Sequence, residues 1–167
     1  MVDQNDVPLG TIDKMEAHQK ALLHRAFSVF IFNSKGQMLL QQRAKNKYHS
    51  AGLWTNACCS HPYQEQDTLA AAEKRLQEEM GFTTSLTKTF EFVYKASFDN
   101  GLTEYEYDHV FTGKYDGEIV PDKSEVESFC FMDMDEIKTS IAAHPNKYTA
   151  WFKIAFPKLE DYLQQQL

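Results

Sequence analysis

Cys58, Cys59 and His61 fall within a single stretch of nine residues, WTNACCSHP, running from Trp54 to Pro62. A buried strand of this length is normally aliphatic. A cluster of side chains that ionise, ligate metals or attack carbon instead marks the wall of an active site. Successive residues on a strand face opposite ways, so at most one of the two neighbouring thiols serves such a site. For Cys59, residue type leaves two readings open: the small buried hydrophobe that most free cysteines are, or a reactive thiol among the polar side chains of Thr55, Asn56, Ser60 and His61. Cys130, between Phe129 and Phe131, reads as core.

His18, His24, His61, Glu104 and Glu106 offer nitrogen and oxygen ligands of the kind that suits zinc, iron, manganese or magnesium. Spacing alone is weak evidence for a common site. His18 and His24 are six apart and share a face of neither a helix nor a tight turn, so the chain must bend between them. Glu104 and Glu106, two apart on a strand, point the same way and repel unless a cation lies between them. Arg75 and Glu79 are four apart on a helix, and by spacing alone they make an ordinary solvated ion pair.

The elements that position these residues follow from periodicity and turn chemistry. Residues 1 to 25 read as a strand or loop lead-in. Phe27 to Phe32 is apolar on both faces and predicts a doubly buried strand. Asn33-Ser34-Lys35-Gly36 supplies a hairpin turn into a returning strand over 37 to 43. Asp67 is an N-cap for the helix TLAAAEKRLQEEM, with Leu69, Ala72, Leu76 and Met80 facing the core and Gly81 ending it. Asp99-Asn100-Gly101 joins the two long strands KTFEFVYKASF and EYEYDHVFTGKY. A short strand over 127 to 132 leads into a helix opening near Asp133 or Asp135, and KYTAWFKIAFPKLEDYLQQQL predicts a last helix kinked or restarted near Pro157. Hairpin-linked strands mixed with helices give an α+β fold.

Length and charge bound the rest. A chain of 167 residues, 43% hydrophobic, suits one domain burying roughly 70% of its unfolded surface. Its 24 acidic against 17 basic residues give a net charge of −7, which argues against a nucleic-acid or anionic-membrane surface, so any phosphate site must be a local basic cluster. Three cysteines without a CxxC pair, a polar start and no apolar run near the roughly 18 residues of a spanning helix lead us to expect a cytoplasmic protein.

The strings LLHRAFSVFIFNSKGQMLLQQRA, GLWTNACCSHP, AAAEKRLQEEMGF and TEYEYDHVF together resemble the type 1 isopentenyl diphosphate isomerases of the Nudix superfamily, over about Gly10 to Trp151. The TNxCCSHP string with ExE downstream is specific to these isomerases. In the register set by Glu78, Glu79 and Gly81, the hydrolase box of the superfamily expects glycine at 60, glutamate at 66 and arginine-glutamate at 74 and 75. This chain has Ser60, Gln66, Lys74 and Arg75.

The resemblance implies a single Nudix-type domain with mixed or antiparallel sheets and flanking helices. It implies interconversion of isopentenyl and dimethylallyl diphosphate, with Cys59 and Glu106 as acid and base, Tyr94 beside the carboxylate and Trp151 against the hydrocarbon, where its ring face would stabilise a carbocation. Which of Cys59 and Glu106 protonates stays open. A Mn2+, Mg2+ or Zn2+ ion falls to His18, His24, His61, Glu104 and Glu106. A second ion, Mg2+, would bridge the diphosphate through Glu79, and Lys14, Arg43, Lys47 and Arg75 would meet the diphosphate itself. Monomer and homodimer both remain open. The step from His18 to His24 is one residue shorter than in some bacterial members. Two other readings compete: a Nudix hydrolase of a nucleoside diphosphate derivative, and a redox or metal sensor built on Cys58 and Cys59, although neighbouring cysteines close only a strained disulfide.

Overall fold

A computed structural model describes residues 1–166. The doubly apolar segment forms β1 (His24–Phe32), and the turn at Asn33 to Gly36 returns the chain as β2 (Met38–Arg43). Two short strands follow, β3 (Trp54–Thr55) and β4 (Cys58–Ser60). The long hairpin is β5 (Leu86–Ser97) with β6 (Thr103–Lys114), and β7 (Val126–Met132) completes a seven-stranded sheet. The main path runs β3-β2-β1-β6-β5, with β4 paired to β1 and β7 to β2. Pairing of β1 with β6 is parallel and the other pairings are antiparallel, so the sheet is mixed.

Alternation along β1 assigns the two faces. Phe27, Val29 and Ile31 pack with Cys58 and Phe111 against α2 (Thr68–Met80), through Ala71, Ala72, Leu76 and Met80. Asp67 caps α2 by accepting from the Ala70 amide, and Gly81 ends it at a φ of 76°. Leu69, expected on the buried stripe, is 36% exposed, the stripe giving out in the first turn. On the other face, Phe30, Leu40, Tyr94 and Val110 pack with Ile137 of α3 (Met134–Ala143) and with Phe152, Ala155, Phe156 and Leu159 of α4 (Ala150–Gln165).

Two further expectations change. The lead-in contains a helix, α1 (Lys14–Lys20), which starts where the Asp13 carboxylate accepts from the amides of Met15 and Glu16 and stops at Ala21 in the left-handed region. His24 and Arg25 already belong to β1. Helix α4 begins only after Thr149 and runs unbroken through Pro157. An interior proline costs about 3 kcal/mol. Four buried side chains on both sides of it, Phe152, Ala155, Phe156 and Leu159, fix the helix against the sheet and outweigh that cost.

Candidate active site

The α4 face of the sheet gathers a row of buried acidic side chains and Cys59. Glu104, Glu106 and Asp108 alternate along β6 and all three are buried, as β periodicity requires of one face. β1 runs parallel beside it and sets His24 opposite Glu106. Asn56 sits between β3 and β4, and β4 ends at Ser60, which places His61 at the strand's exit. His18 comes from α1, where it is 1% exposed.

Ligand atoms of His18, His24, His61 and Glu106 converge to within 4.8 Å of one another. His61 Nε2 is 2.8 Å and His24 Nε2 3.5 Å from Glu106 Oε1. The other His24 nitrogen, Nδ1, lies 2.8 Å from the Leu22 carbonyl, which accepts its N–H and leaves Nε2 as a bare lone pair aimed at His61 Nε2, 3.2 Å away. Both nitrogens of His18 are buried without a hydrogen-bond partner among the described residues. Orphaned imidazole nitrogens and converging lone pairs are costly in a closed protein and natural around a divalent cation, so the donor set fits one. Burial pushes the His61 imidazole down to about 4, which keeps it neutral as a ligand must be.

Glu104 stands one step outside this group. Tyr94 Oη donates to Glu106 Oε2 at 2.7 Å and lies 3.1 Å from Glu104 Oε2, joining the two carboxyls. Burial and then the charge of Glu106 push Glu104 well up. Glu106 moves the other way: burial opposes its ionisation, but the imidazoles gathered around it, His61 foremost, hold it well down. The opposite directions of the two shifts ease the repulsion between neighbours on a strand.

Cys59 is held by polar contacts on two sides. Its Sγ–H donates to Asn56 Oδ1 at 3.1 Å, and Ser28 Oγ lies 3.4 Å from the sulfur. Burial, and next the Asp108 charge, push this thiol up, which favours its protonated form. Asn56 is itself pinned, its Nδ2 donating to the carbonyls of Val29 and Cys58 and its Oδ1 accepting from Thr55 Oγ1. Thr149, the N-cap of α4, donates in turn to Thr55 Oγ1, which ties Trp151 to the same network. Cys58 faces the α2 core, fully buried.

The four cationic residues divide into two pairs. Arg43 lies over the Trp151 ring at 5.1 Å, and the register shift between Gln42 and Arg43 breaks the strand alternation at that residue. Lys14 Nζ lies 5.7 Å from the Tyr48 ring. Lys47 instead pairs with Glu125, and Arg75 donates to Glu79 Oε1 at 2.5 Å and Glu78 Oε2 at 2.8 Å. Glu79 also accepts from Gln41 Nε2 at 3.0 Å, so each of its oxygens already holds one partner. A small cavity of about 100 Å³ is lined by Ser60, Gln66, Lys74 and Arg75, the four positions at which the sequence departs from the hydrolase box, together with His61 and Glu78.

Sequence reasoning missed His49, Ser28 and Asp108. His49 is buried, stacked on Phe98 at 5.0 Å and edge-on to Trp151, with Nε2 3.9 Å from Glu104. Burial, then the charges of Arg43 and Lys14, push it down to about 3, so it faces the site as a neutral ring. Asp108 had a readable signal, the third acidic residue of the alternating run 104, 106, 108, and Ser28 was a lone hydroxyl in an apolar strand.

The NUDIX domain model matches residues 22–152. Over 166 residues the chain is 49% identical to the isopentenyl-diphosphate Delta-isomerase of Pectobacterium atrosepticum, covering 98% of this chain and 92% of that protein. The chain belongs to the isopentenyl-diphosphate Delta-isomerase family. A relative of the same name from Streptomyces coelicolor is 43% identical over 91% of the chain and 78% of its own length. Among solved structures, a MutT protein from Methanosarcina mazei superposes with a TM-score of 0.69 at 16% identity, covering 86% of this chain and 95% of its own. A MutT NUDIX hydrolase from Burkholderia pseudomallei does so at 0.64 and 18%, covering 81% and 96%. At those identities the likeness establishes the fold alone. Family membership carries a requirement for a divalent metal, and the four-residue donor set is where this chain can hold one. No helix among the described residues is long and apolar enough to cross a membrane.

Proposed function

We propose that the protein interconverts isopentenyl and dimethylallyl diphosphate by moving a carbon-carbon double bond one position. The observation that carries this reading is 49% identity, across nearly the whole chain, to a protein bearing that isomerase name. One proton adds to the terminal alkene carbon, a tertiary cation forms next to it, and a second proton leaves the carbon on the diphosphate side. Cys59 and Glu106 are the acid and base. Cys59 suits the role because its thiol keeps its proton, Glu106 because Tyr94 fixes its second oxygen. The Trp151 ring faces the cation and, with Phe98 and His49 beside it, keeps water from the hydrocarbon.

His18, His24, His61 and Glu106, with Glu104 adjoining, would hold a Mn2+, Mg2+ or Zn2+ ion, which when bound supplies positive charge that steadies the carboxylates and tunes the proton affinity of Glu106. Glu79 keeps spare lone pairs beyond its two present partners and would hold the Mg2+ that accompanies the diphosphate. Lys14, Arg43, Lys47 and Arg75 are its cationic contacts, Lys47 and Arg75 exchanging protein carboxylates for substrate oxygens. Arg75 also supports isomerase over hydrolase. It stands where the hydrolase box has a glutamate, so a ligand for the metals that activate water is replaced by a cation suited to the diphosphate. Three free thiols fit a reducing compartment, the cytoplasm.

The test is incubation with isopentenyl diphosphate and Mg2+ plus Mn2+, read by proton NMR alongside a phosphate-release assay. The reading requires dimethylallyl diphosphate to form and phosphate to stay bound. Release of phosphate, or cleavage of a nucleoside diphosphate derivative, would instead support the hydrolase.

A further inference from the structure

Asp108 is a fully buried carboxyl that the proposed reaction does not use. It is 1% exposed, Oδ2 accepts from Ser28 Oγ at 2.7 Å, and Oδ1 has no hydrogen-bond partner among the described residues. Burying a carboxyl with half its capacity unmet costs several kcal/mol, and an apolar side chain on this face would pack against the same core more cheaply. The one group that gains from Asp108 is Ser28.

Register explains what Ser28 does with the contact. On β1 it lies between β4, where Cys59 is its direct partner, and β6, which carries Asp108 on the same face. A serine hydroxyl has a single proton. At 2.7 Å that proton is directed to Asp108, so the lone pairs of Ser28 Oγ are turned to the Cys59 sulfur 3.4 Å away. On the opposite side, Asn56 presents only its oxygen to Cys59, because its nitrogen is committed to two carbonyls. The single thiol proton, donated to Asn56 Oδ1, thus has Ser28 Oγ as its alternative acceptor, and the orientation of each acceptor is fixed by a further buried group.

We propose that Asp108, acting through Ser28, is a positioning residue that holds the Cys59 thiol in its reactive orientation. This rests on the reading of Cys59 as a reacting group. Displacing a reacting atom by about 1 Å can cost on the order of 10²-fold. Ser28→Ala and Asp108→Leu should therefore each lower kcat by about 10- to 100-fold with KM within about twofold, and the double variant should be no worse than Ser28→Ala, since one residue works through the other. Asp108→Asn, which keeps an acceptor of the same shape, should retain most of kcat.

A second readout does not need turnover: the infrared S–H stretch of Cys59, assigned by its loss in Cys59→Ser. Ser28→Ala and Asp108→Leu should move the band equally and Asp108→Asn should leave it in place. Thermal melts identify any variant that fails to fold, and Ser28→Ala, which only deletes an oxygen, then carries the test. Additive losses, an Asp108→Asn variant as poor as Asp108→Leu, or an unmoved S–H band would overturn the proposal. If the wild-type protein lacked isomerase activity but the band shifted as stated, the failure would lie with the reaction and not with the positioning.

Discussion

His24 and Glu106 are direct register partners where β1 runs parallel to β6, and His24 Nε2 lies 3.5 Å from Glu106 Oε1. Parallel pairing with a fixed register means that neither residue can shift without moving the other. Glu106 is also the atom group on which His18, His61 and Tyr94 converge. On the proposed function, the metal set and the proton-transfer set share this one carboxylate.

Replacing that carboxylate should be severe. Glu106→Gln keeps the shape and removes the charge, and turnover should fall by at least about 10²-fold, the usual scale for a positioned proton donor or acceptor. Steady-state kinetics on folded protein check this, and a loss below tenfold would show that Glu106 is not in the proton path.

Chelation should act on stability as well as activity. Because the four-ligand set belongs to the folded state, an ion at about 100 times its Kd adds about 2.7 kcal/mol to folding. Tm should drop on chelator treatment and recover when Mn2+ or Zn2+ is returned. His18→Ala, which removes the ligand contributed by α1, should blunt that recovery.

The two adjacent thiols should separate cleanly. Cys59→Ser is expected to cost at least about 10²-fold in turnover. Cys58→Ser, on the α2 face of the sheet, should leave turnover close to wild type while lowering stability by about 1–3 kcal/mol for a hydroxyl buried in an apolar cluster. Denaturant titration beside the rate assay distinguishes the two, and an essential Cys58 with a dispensable Cys59 would reverse the face assignment.

Gly81 offers a purely structural test. It has φ of 76°, and a Cβ there would stand 2.1 Å from the Val120 carbonyl oxygen, whereas Gly101, at φ 78°, has open space around it. Gly101→Ala should cost about 1 kcal/mol for the left-handed backbone alone. Gly81→Ala should cost clearly more, as read from urea midpoints.

Much of the fold was legible because its signals are local. Asp67 and Gly81 bracket α2, the Asn33 and Asn100 turns mark the hairpins, and period two places Glu104 with Glu106. Helix α1 was not legible, since KMEAHQK offers little apolar stripe and is held by the Asp13 cap and the docking of Ala17 and His18. Pro157 misled because local propensity counts for less than the packing of α4. The ligand set could not be read from spacing at all. His18, His24, His61 and Glu106 come from a helix, two strands and a strand exit that only the sheet brings together, and their assignment rested on the family resemblance. The anchoring of Cys59 by Ser28 and Asp108 depends on β1 lying between β4 and β6, a pairing no local signal announces.

The central claim, proton transfer to and from carbon without cleavage of the diphosphate, is tested most directly by turnover in deuterium oxide. With isopentenyl diphosphate in D2O, dimethylallyl diphosphate should carry solvent deuterium at its methyl carbon, and Glu106→Gln should slow that incorporation by at least about 10²-fold. Product free of deuterium, or phosphate released in its place, would contradict the account.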